Sequence, residues 1–208
     1  MPTLLVVGAA VLDCVYTMDE LPVAAEKYRA KNFALRGGGT AATAAVTAKR
    51  LGLDVALAAR VGDDVFGAAI VDELEKEGID CSLVRRHPGK QSSVSAVMID
   101  RGGERVLVNC KDPGIDSGTS WLPQKLPPEI DGILGDHHWA AGTEHLFRLA
   151  REAGKAAILD ADRQHQCKSW QARPISGSRR AASANSQAWR TCRKRWPRVK
   201  LRRPAGSP

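Results

Sequence analysis

Three consecutive glycines and one aspartate are the residues of this chain best suited to hold a small polar ligand. Gly37, Gly38 and Gly39 lead into an Ala-rich segment, and glycine lets a ligand approach the main chain. Amides at a helix start bind hydroxyl, carboxylate or phosphate oxygens. Asp13 follows a short apolar run, and ligands of open α/β sheets bind beyond the carboxyl ends of strands. Taken alone, the glycines fit a mobile loop before a packed helix equally well, and an isolated Asp13 fits a solvated or capping residue better.

The segments that would position these residues alternate between strand-like and helix-like patterns. Short runs typical of strands occur at 3–8, 11–18, 27–35, 55–60, 93–100, 105–110, 132–134 and 156–160. Helices are predicted at 40–51, at 143–153, and from the potential N-caps Asp63 and Asp64 to Gly78. Strands that alternate with helices predict an α/β fold with a parallel sheet covered on both faces. Residues 11–35 and 93–110 look instead like exposed strands and a hairpin.

Charge divides the chain into two parts. Residues 163–208 contain thirteen Lys or Arg residues and no Asp or Glu, although the whole chain has 31 basic and 23 acidic residues. We therefore expect one domain over residues 1–162 and a basic, low-complexity, disordered or out-of-frame segment over 163–208. The net charge of +8 is the sum of +13 in that segment and −5 in residues 1–162, so it does not indicate an anionic partner for the domain.

Three explanations of residues 163–208 remain open. An out-of-frame translation is favoured, because periodicity, acidic residues and strand composition all end after Asp162. A basic arm that binds RNA or DNA, with Trp170, Trp189 and Trp196 stacking on bases, is the second explanation, although no nucleic-acid-binding motif occurs there. The third is a solvated extension without a role.

Other patterns limit the class of protein. No apolar stretch approaches the ~20 residues of a membrane span, and the N-terminus lacks the basic start of a signal peptide. Five cysteines without a C-x-x-C pair predict reduced thiols and a cytoplasmic location. Asp136, His137, His138 and His145 have no second cluster with ligand spacing beside them, so no metal site is predicted.

Several motifs in order identify the chain as similar to a known family. The stretch from Gly37 to Gly67 combines a Gly-Gly loop, an Ala-rich helix and a Val-Gly-Asp-Asp-x-x-Gly run, and it resembles the N-terminal signature of the ribokinase-like (PfkB) sugar kinases. The resemblance covers residues 1–162 and implies a ribokinase-like fold with a small β lid, at about 11–35 and 93–110. Within the family, the sequence most resembles the ketohexokinase and sulfofructose kinase branch. The residues that carry this similarity are Leu21-Pro22, Lys27-Tyr28, Gly103-Glu104-Arg105 and Asn109.

The resemblance also implies roles for particular residues. Asp13 and the backbone at Gly38 and Gly39 would hold sugar hydroxyls, Asn109 would add a hydrogen bond, and Lys27 would contact an anionic group of the substrate. Lys27 fits an ordinary surface lysine slightly better. His138 stands where the sulfosugar kinases of the branch place Arg, which argues against sulfonate recognition. Asp160 and Asp162 would lie towards the nucleotide.

The implied function is phosphoryl transfer from ATP, with Mg²⁺, to a sugar hydroxyl. In the family, the general base and the anion hole come from an Asp-Thr-x-Gly-Ala-Gly-Asp motif, and these 208 residues contain no such motif. No catalytic residue is therefore assigned, and the chain is expected to be a truncated, inactive form of a sugar kinase. The alternative is a non-catalytic half-domain that binds a sugar or a partner and carries a basic nucleic-acid-binding arm. A homodimer through the lid strands is expected by family resemblance, and nucleic acid is not the expected partner.

Overall fold

A central parallel sheet is surrounded by three helices, and a smaller sheet joins it at one end. The computed structural model describes residues 1–160, so the predictions for 163–208 lie outside the described residues. The strands are β1 (Thr3–Gly8), β2 (Val11–Thr17), β3 (Asn32–Gly38), β4 (Asp54–Gly62), β5 (Val84–His87), β6 (Val94–Ile99), β7 (Arg105–Cys110), β8 (Ile130–Asp136) and β9 (Ala156–Asp160). The helices are α1 (Thr40–Arg50), α2 (Val65–Lys76) and α3 (Ala140–Glu152).

The larger sheet has the order β5-β4-β1-β8-β9, and all of its neighbouring pairs are parallel. Alternate residues of β1 enter two different cores, as expected for a central strand that is covered on both faces. Val6 packs in a cluster with residues of α1 and α2, whereas Leu5 and Val7 pack with residues of α3. This arrangement confirms the predicted α/β fold with helices on both faces of a parallel sheet.

The smaller sheet has the order β3-β2-β6-β7, with β2 and β6 parallel and the outer pairs antiparallel. Its strands lie in or next to the two segments, 11–35 and 93–110, where lid strands are predicted, and the bounds of one strand differ. The strand expected at 27–35 begins at Asn32 and continues to Gly38, so Gly37 and Gly38 are strand residues rather than a loop. The third helix begins at Ala140, three residues earlier than predicted, and the short strand β5 was not predicted.

The predicted N-cap Asp64 also ties α2 to a distant loop. Its side chain accepts hydrogen bonds from the amide of Gly67 at 2.8 Å and from the hydroxyl of Ser92 at 2.6 Å. Burial disfavours the charged form, but the hydrogen bonds from Ser92 and Gly67 outweigh it and lower the pKa of Asp64. The hydroxyl of Ser92 in turn accepts the amide of Gly62, at the end of β4. The Val-Gly-Asp-Asp run therefore fixes the end of β4 relative to α2. In residues 1–160, no helix is long and apolar enough to cross a membrane.

We expect Ser92→Ala to lower the free energy of unfolding by about 1–3 kcal/mol, because it leaves the buried amide of Gly62 without its hydrogen-bond acceptor. Urea denaturation followed by circular dichroism measures the change. Ser82→Ala is the matched control, since Ser82 is exposed and only its backbone amide is hydrogen-bonded, to Asp80. Equal stabilities of the two variants would show that the Ser92 hydroxyl does not support this junction.

Candidate functional site

The structure brings Asp13 and Gly38 together at the base of the four-stranded sheet. The register pairs Val11 with Gly38 and Asp13 with Arg36. A side chain at Gly38 would overlap the carboxylate of Asp13, so the carboxylate lies directly against the main chain of Gly38. The close approach explains why glycine is needed here, and it places the half-buried carboxylate of Asp13 against the buried main chain of Gly38.

Asp13 also belongs to a row of polar residues across the sheet. Asp13 pairs with Ser95 on β6, and Ser95 pairs with Asn109 on β7. Residues paired across neighbouring strands point to the same face of a sheet, so these three side chains share one face. The side-chain amide of Asn109 donates to the hydroxyl of Ser95 at 3.2 Å. We call Asp13, Ser95 and Asn109 the polar row; it offers a carboxylate, a hydroxyl and an amide to one ligand.

More of the backbone amides at the start of α1 donate hydrogen bonds within the protein than the sequence predicts. Gly39 is the N-cap with φ of 91°, a left-handed conformation that favours glycine, and the N-cap residue itself supplies no side-chain hydrogen bond to the helix. The amide of Ala41 donates to the carboxylate of Asp136 at 3.2 Å, and the amide of Ala42 donates to the carbonyl of Ala9 at 3.1 Å. The expectation that the first-turn amides are free for a ligand is therefore wrong for Ala41 and Ala42.

Asp136, which is 1% exposed at the end of β8, joins three segments near this site. Its Oδ2 accepts the amide of Ala9 at 2.9 Å, the hydroxyl of Thr40 at 2.6 Å and the amide of Ala41. Its Oδ1 accepts the amide of His138 at 2.8 Å. A side chain at Gly8 would overlap this carboxylate. Sequence reasoning considered Asp136 only as a metal ligand; its place just beyond the carboxyl end of the predicted strand 132–134 was the available signal.

A cleft opens beside these segments at the carboxyl ends of β1 and β4. It is lined by Gly8, Ala9, Ala10, Arg60, Ser93, Lys111, Ile115 and His138. Neither Arg60 nor Lys111 was selected by the sequence analysis, because a single basic residue after a strand has no distinctive spacing. The cleft and the polar row adjoin through the short connection from Ala10 to Asp13.

The remaining predicted residues lie apart from this site. Lys27 is exposed in the connection between β2 and β3, beyond the end of β2 that is distant from Asp13. Asp160 is the last residue of β9 and pairs with Asp136 in register, whereas Asp162 lies outside the described residues. His145 contacts the carbonyl of Pro123 at 2.8 Å. Over residues 1–160, no group of three or more His, Cys, Asp or Glu side chains is placed to hold a metal ion.

Comparisons with known proteins agree with this arrangement. The family model described as pfkB family carbohydrate kinase matches residues 1–175. The ribokinase of Bacillus subtilis is 31% identical over 108 residues, which is 52% of this chain and 37% of that protein. The ATP-dependent ribose-1-phosphate kinase of Halopiger xanaduensis is 32% identical over 152 residues, covering 73% of this chain and 51% of that protein. The chain thus spans about half or less of the length of these relatives.

Solved structures show the same fold. A crystal structure from Agrobacterium tumefaciens, provisionally described as a ribokinase, superposes with a TM-score of 0.70 and 32% identity over 76% of this chain and 52% of that one. The Arabidopsis thaliana ribokinase, solved with ribose and ATP, superposes with a TM-score of 0.66 and 19% identity over 93% of this chain and 69% of that one.

We expect Asp136→Asn to lower the free energy of unfolding by at least about 2 kcal/mol, because an amide NH₂ group would face backbone donors and leave buried groups unpaired. Urea denaturation measures the loss. Asp131→Asn, on the same strand, is the control: Asp131 is exposed and accepts from the amide of Thr3 and from Lys155, so its substitution should leave the urea midpoint near that of the wild type. A wild-type midpoint for Asp136→Asn would contradict the joining role of this carboxylate.

Proposed function

The chain belongs to the pfkB family of carbohydrate kinases, and we propose that it forms the sugar-binding part of an enzyme that transfers the γ-phosphoryl group of ATP to a sugar hydroxyl. The observation that carries the proposal is the polar row beside Gly38. A sugar presents several hydroxyl groups that both donate and accept hydrogen bonds. Asp13 can accept two of them, and Asn109 can donate to one and accept from another.

The support for each assigned residue differs. Asp13, Gly38 and Asn109 are supported by their positions in one sheet, in which β6 lies between the strands of Asp13 and Asn109 and neighbouring strands are about 4.8 Å apart. Gly39 contributes backbone at the start of α1. Lys27 is assigned to an anionic substrate group by family resemblance alone, without a supporting contact.

The transfer step needs groups that we do not assign to these 208 residues. The sugar oxygen must form a bond to the γ-phosphorus while the bond to the β-phosphate oxygen breaks, and a base must accept the hydroxyl proton. We propose that the 208 residues bind sugar without transferring phosphate, because the family's base and anion-hole motif is not among them. ATP is the proposed donor and the cytoplasm the proposed location. Mg²⁺ is given no ligand, since residues 1–160 contain no matching cluster.

A second copy of the chain is the proposed protein partner. Leu35, Val108, Phe33 and Val106 lie in two adjacent rows of the four-stranded sheet and share one face by register. All four are exposed, Phe33 at 52% and Val108 at 59%. We call these residues the outer apolar face. An exposed group of apolar side chains on one face is typical of an interaction surface.

We expect Asp13→Asn to weaken sugar binding about tenfold or more, because the amide NH₂ cannot accept a hydroxyl hydrogen bond and the charge is lost. Calorimetric titration of the 208-residue chain with ribose and fructose measures the affinity without requiring turnover. Asp72→Asn, on the exposed face of α2, is the control. If Asp13→Asn bound each sugar as tightly as the wild type, the assignment of the sugar site to the polar row would fail.

The double variant Leu35→Lys and Val108→Lys should shift the chain from dimer to monomer, because both lysines would place charge within the outer apolar face. Sedimentation velocity measures the change. The double variant Leu51→Lys and Val65→Lys alters exposed apolar residues away from that sheet and should leave the dimer intact. A monomeric wild-type chain, or a dimer that survives both pairs of substitutions, would argue against this surface.

A further inference from the structure

The cleft at the carboxyl ends of β1 and β4 is positively charged. Its lining includes Arg60 and Lys111, and within the described part of the chain no Asp or Glu lines it. Asp136 and Asp116, whose negative charges act on Arg60, are already engaged: Asp136 accepts four hydrogen bonds, and Asp116 accepts the amide of Gly118 at 2.8 Å. A sugar has no negative charge of its own, so the polar row does not explain these two cations.

The side chain of Arg60 is held by two contacts, but not all of its N–H groups have a hydrogen-bond acceptor within residues 1–160. Its guanidinium lies over the ring of Trp139, at 4.7 Å from the ring centroid, and Nη1 donates to the carbonyl of Asp116 at 3.1 Å. Nε is buried and has no hydrogen-bond partner within residues 1–160. Burial lowers the pKa of Arg60, against the raising effect of Asp116 and Asp136. An arginine in this condition gains from an anion that accepts its remaining N–H groups.

Lys111 adds a second charge at the opening of the same cleft. It follows β7 directly and lies two residues after Asn109 of the polar row. Partial burial and then the positive charge of Arg60 lower the pKa of Lys111, so the two cations lie close enough to repel each other. In residues 1–160, Lys111 has neither an ion pair nor a hydrogen bond from its side chain. A doubly charged anion between the two side chains would remove this repulsion.

We propose that Arg60 and Lys111 form a phosphate-binding subsite and that the acceptor is a sugar phosphate rather than a neutral sugar. This inference rests on the proposed sugar-binding function and specifies its substrate class. Arg60 would hold two phosphate oxygens through its fork of N–H groups, and Lys111 would contribute a point charge. The acceptor is favoured over the donor nucleotide because the cleft adjoins the polar row at both of its ends, through Ala10 to Asp13 and through Asn109 to Lys111.

Calorimetric titrations of the full 208-residue chain test the proposal. The probes are ribose, fructose, ribose 5-phosphate, fructose 6-phosphate, inorganic phosphate and ATP. At least one sugar phosphate should bind about tenfold or more tightly than its neutral sugar. Lys111→Gln and Arg60→Gln should each remove most of this advantage, which is measured within each variant as the ratio of its sugar-phosphate affinity to its neutral-sugar affinity. Lys125→Gln, at an exposed lysine outside the cleft lining, is the control and should behave as the wild type.

The two variants separate binding from folding. Arg60 packs on Trp139, so Arg60→Gln is compared only if its urea midpoint is near that of the wild type, whereas Lys111 is exposed and its substitution leaves the core intact. Equal affinity for neutral and phosphorylated sugars, or an advantage that survives Lys111→Gln, overturns the subsite. A Lys111-dependent affinity for ATP or inorganic phosphate without a sugar-phosphate advantage overturns the acceptor assignment.

The result also distinguishes failure of the subsite from failure of the proposed function. If neutral sugars bind and Asp13→Asn weakens them, the sugar site stands even when the phosphate subsite does not. If no sugar, neutral or phosphorylated, binds to the wild-type chain, both the proposed function and the phosphate subsite are overturned.

Discussion

The buried carboxylate of Asp136 is the constraint on which the site depends. Its two oxygens accept four hydrogen bonds, from the connection after β1, from the start of α1 and from the segment that leads into α3. Those segments lie far apart in sequence and meet at the carboxyl ends of parallel strands. Since the connection after β1 continues into β2, the carboxylate also fixes where the smaller sheet begins, and with it Asp13. A buried carboxylate thus positions the residues that we propose as the ligand-binding groups.

The alternation of side chains along β2 determines which residues lie on the polar face of the smaller sheet. Leu12 is buried in the core with residues of α2, and Asp13 points to the opposite face. Through the pairing of β2 with β6 and of β6 with β7, the same alternation places Ser95 and Asn109 on the face of Asp13, and exposed apolar residues on the other. A shift of one residue in this register would exchange the two faces.

Prediction from sequence succeeded where the signal was local. The apolar run 3–8, the Ala-rich helix after Gly39 and the N-cap Asp64 were identified because periodicity and capping depend on neighbouring residues. Gly37 and Gly38 were expected in a loop, but their pairing with β2 makes them strand residues. The sequence analysis did not identify Asp136, Arg60 and Lys111 as site residues, because their contacts are with residues that are distant in sequence. Asp136, for example, accepts a hydrogen bond from the amide of Ala9, which is 127 positions away. Likewise, no local pattern predicts that Lys27 lies beyond the far end of β2.

Because β2 pairs in parallel with β6, the smaller sheet can be completed only late in the synthesis of the described chain. Asp13 meets Ser95 only after α1, β4 and α2 have been synthesised between them, so in a nascent chain β2 pairs only with β3, and the edge of β2 that later pairs with β6 is open. Such long-range pairing slows folding, and an open edge is prone to pair with other chains. A ligand that bridges β2 and β7 would bind only the completed sheet and would therefore stabilise it against reopening. When a substrate is present, the residues that bind it would then also stabilise the last-formed pairing of the smaller sheet.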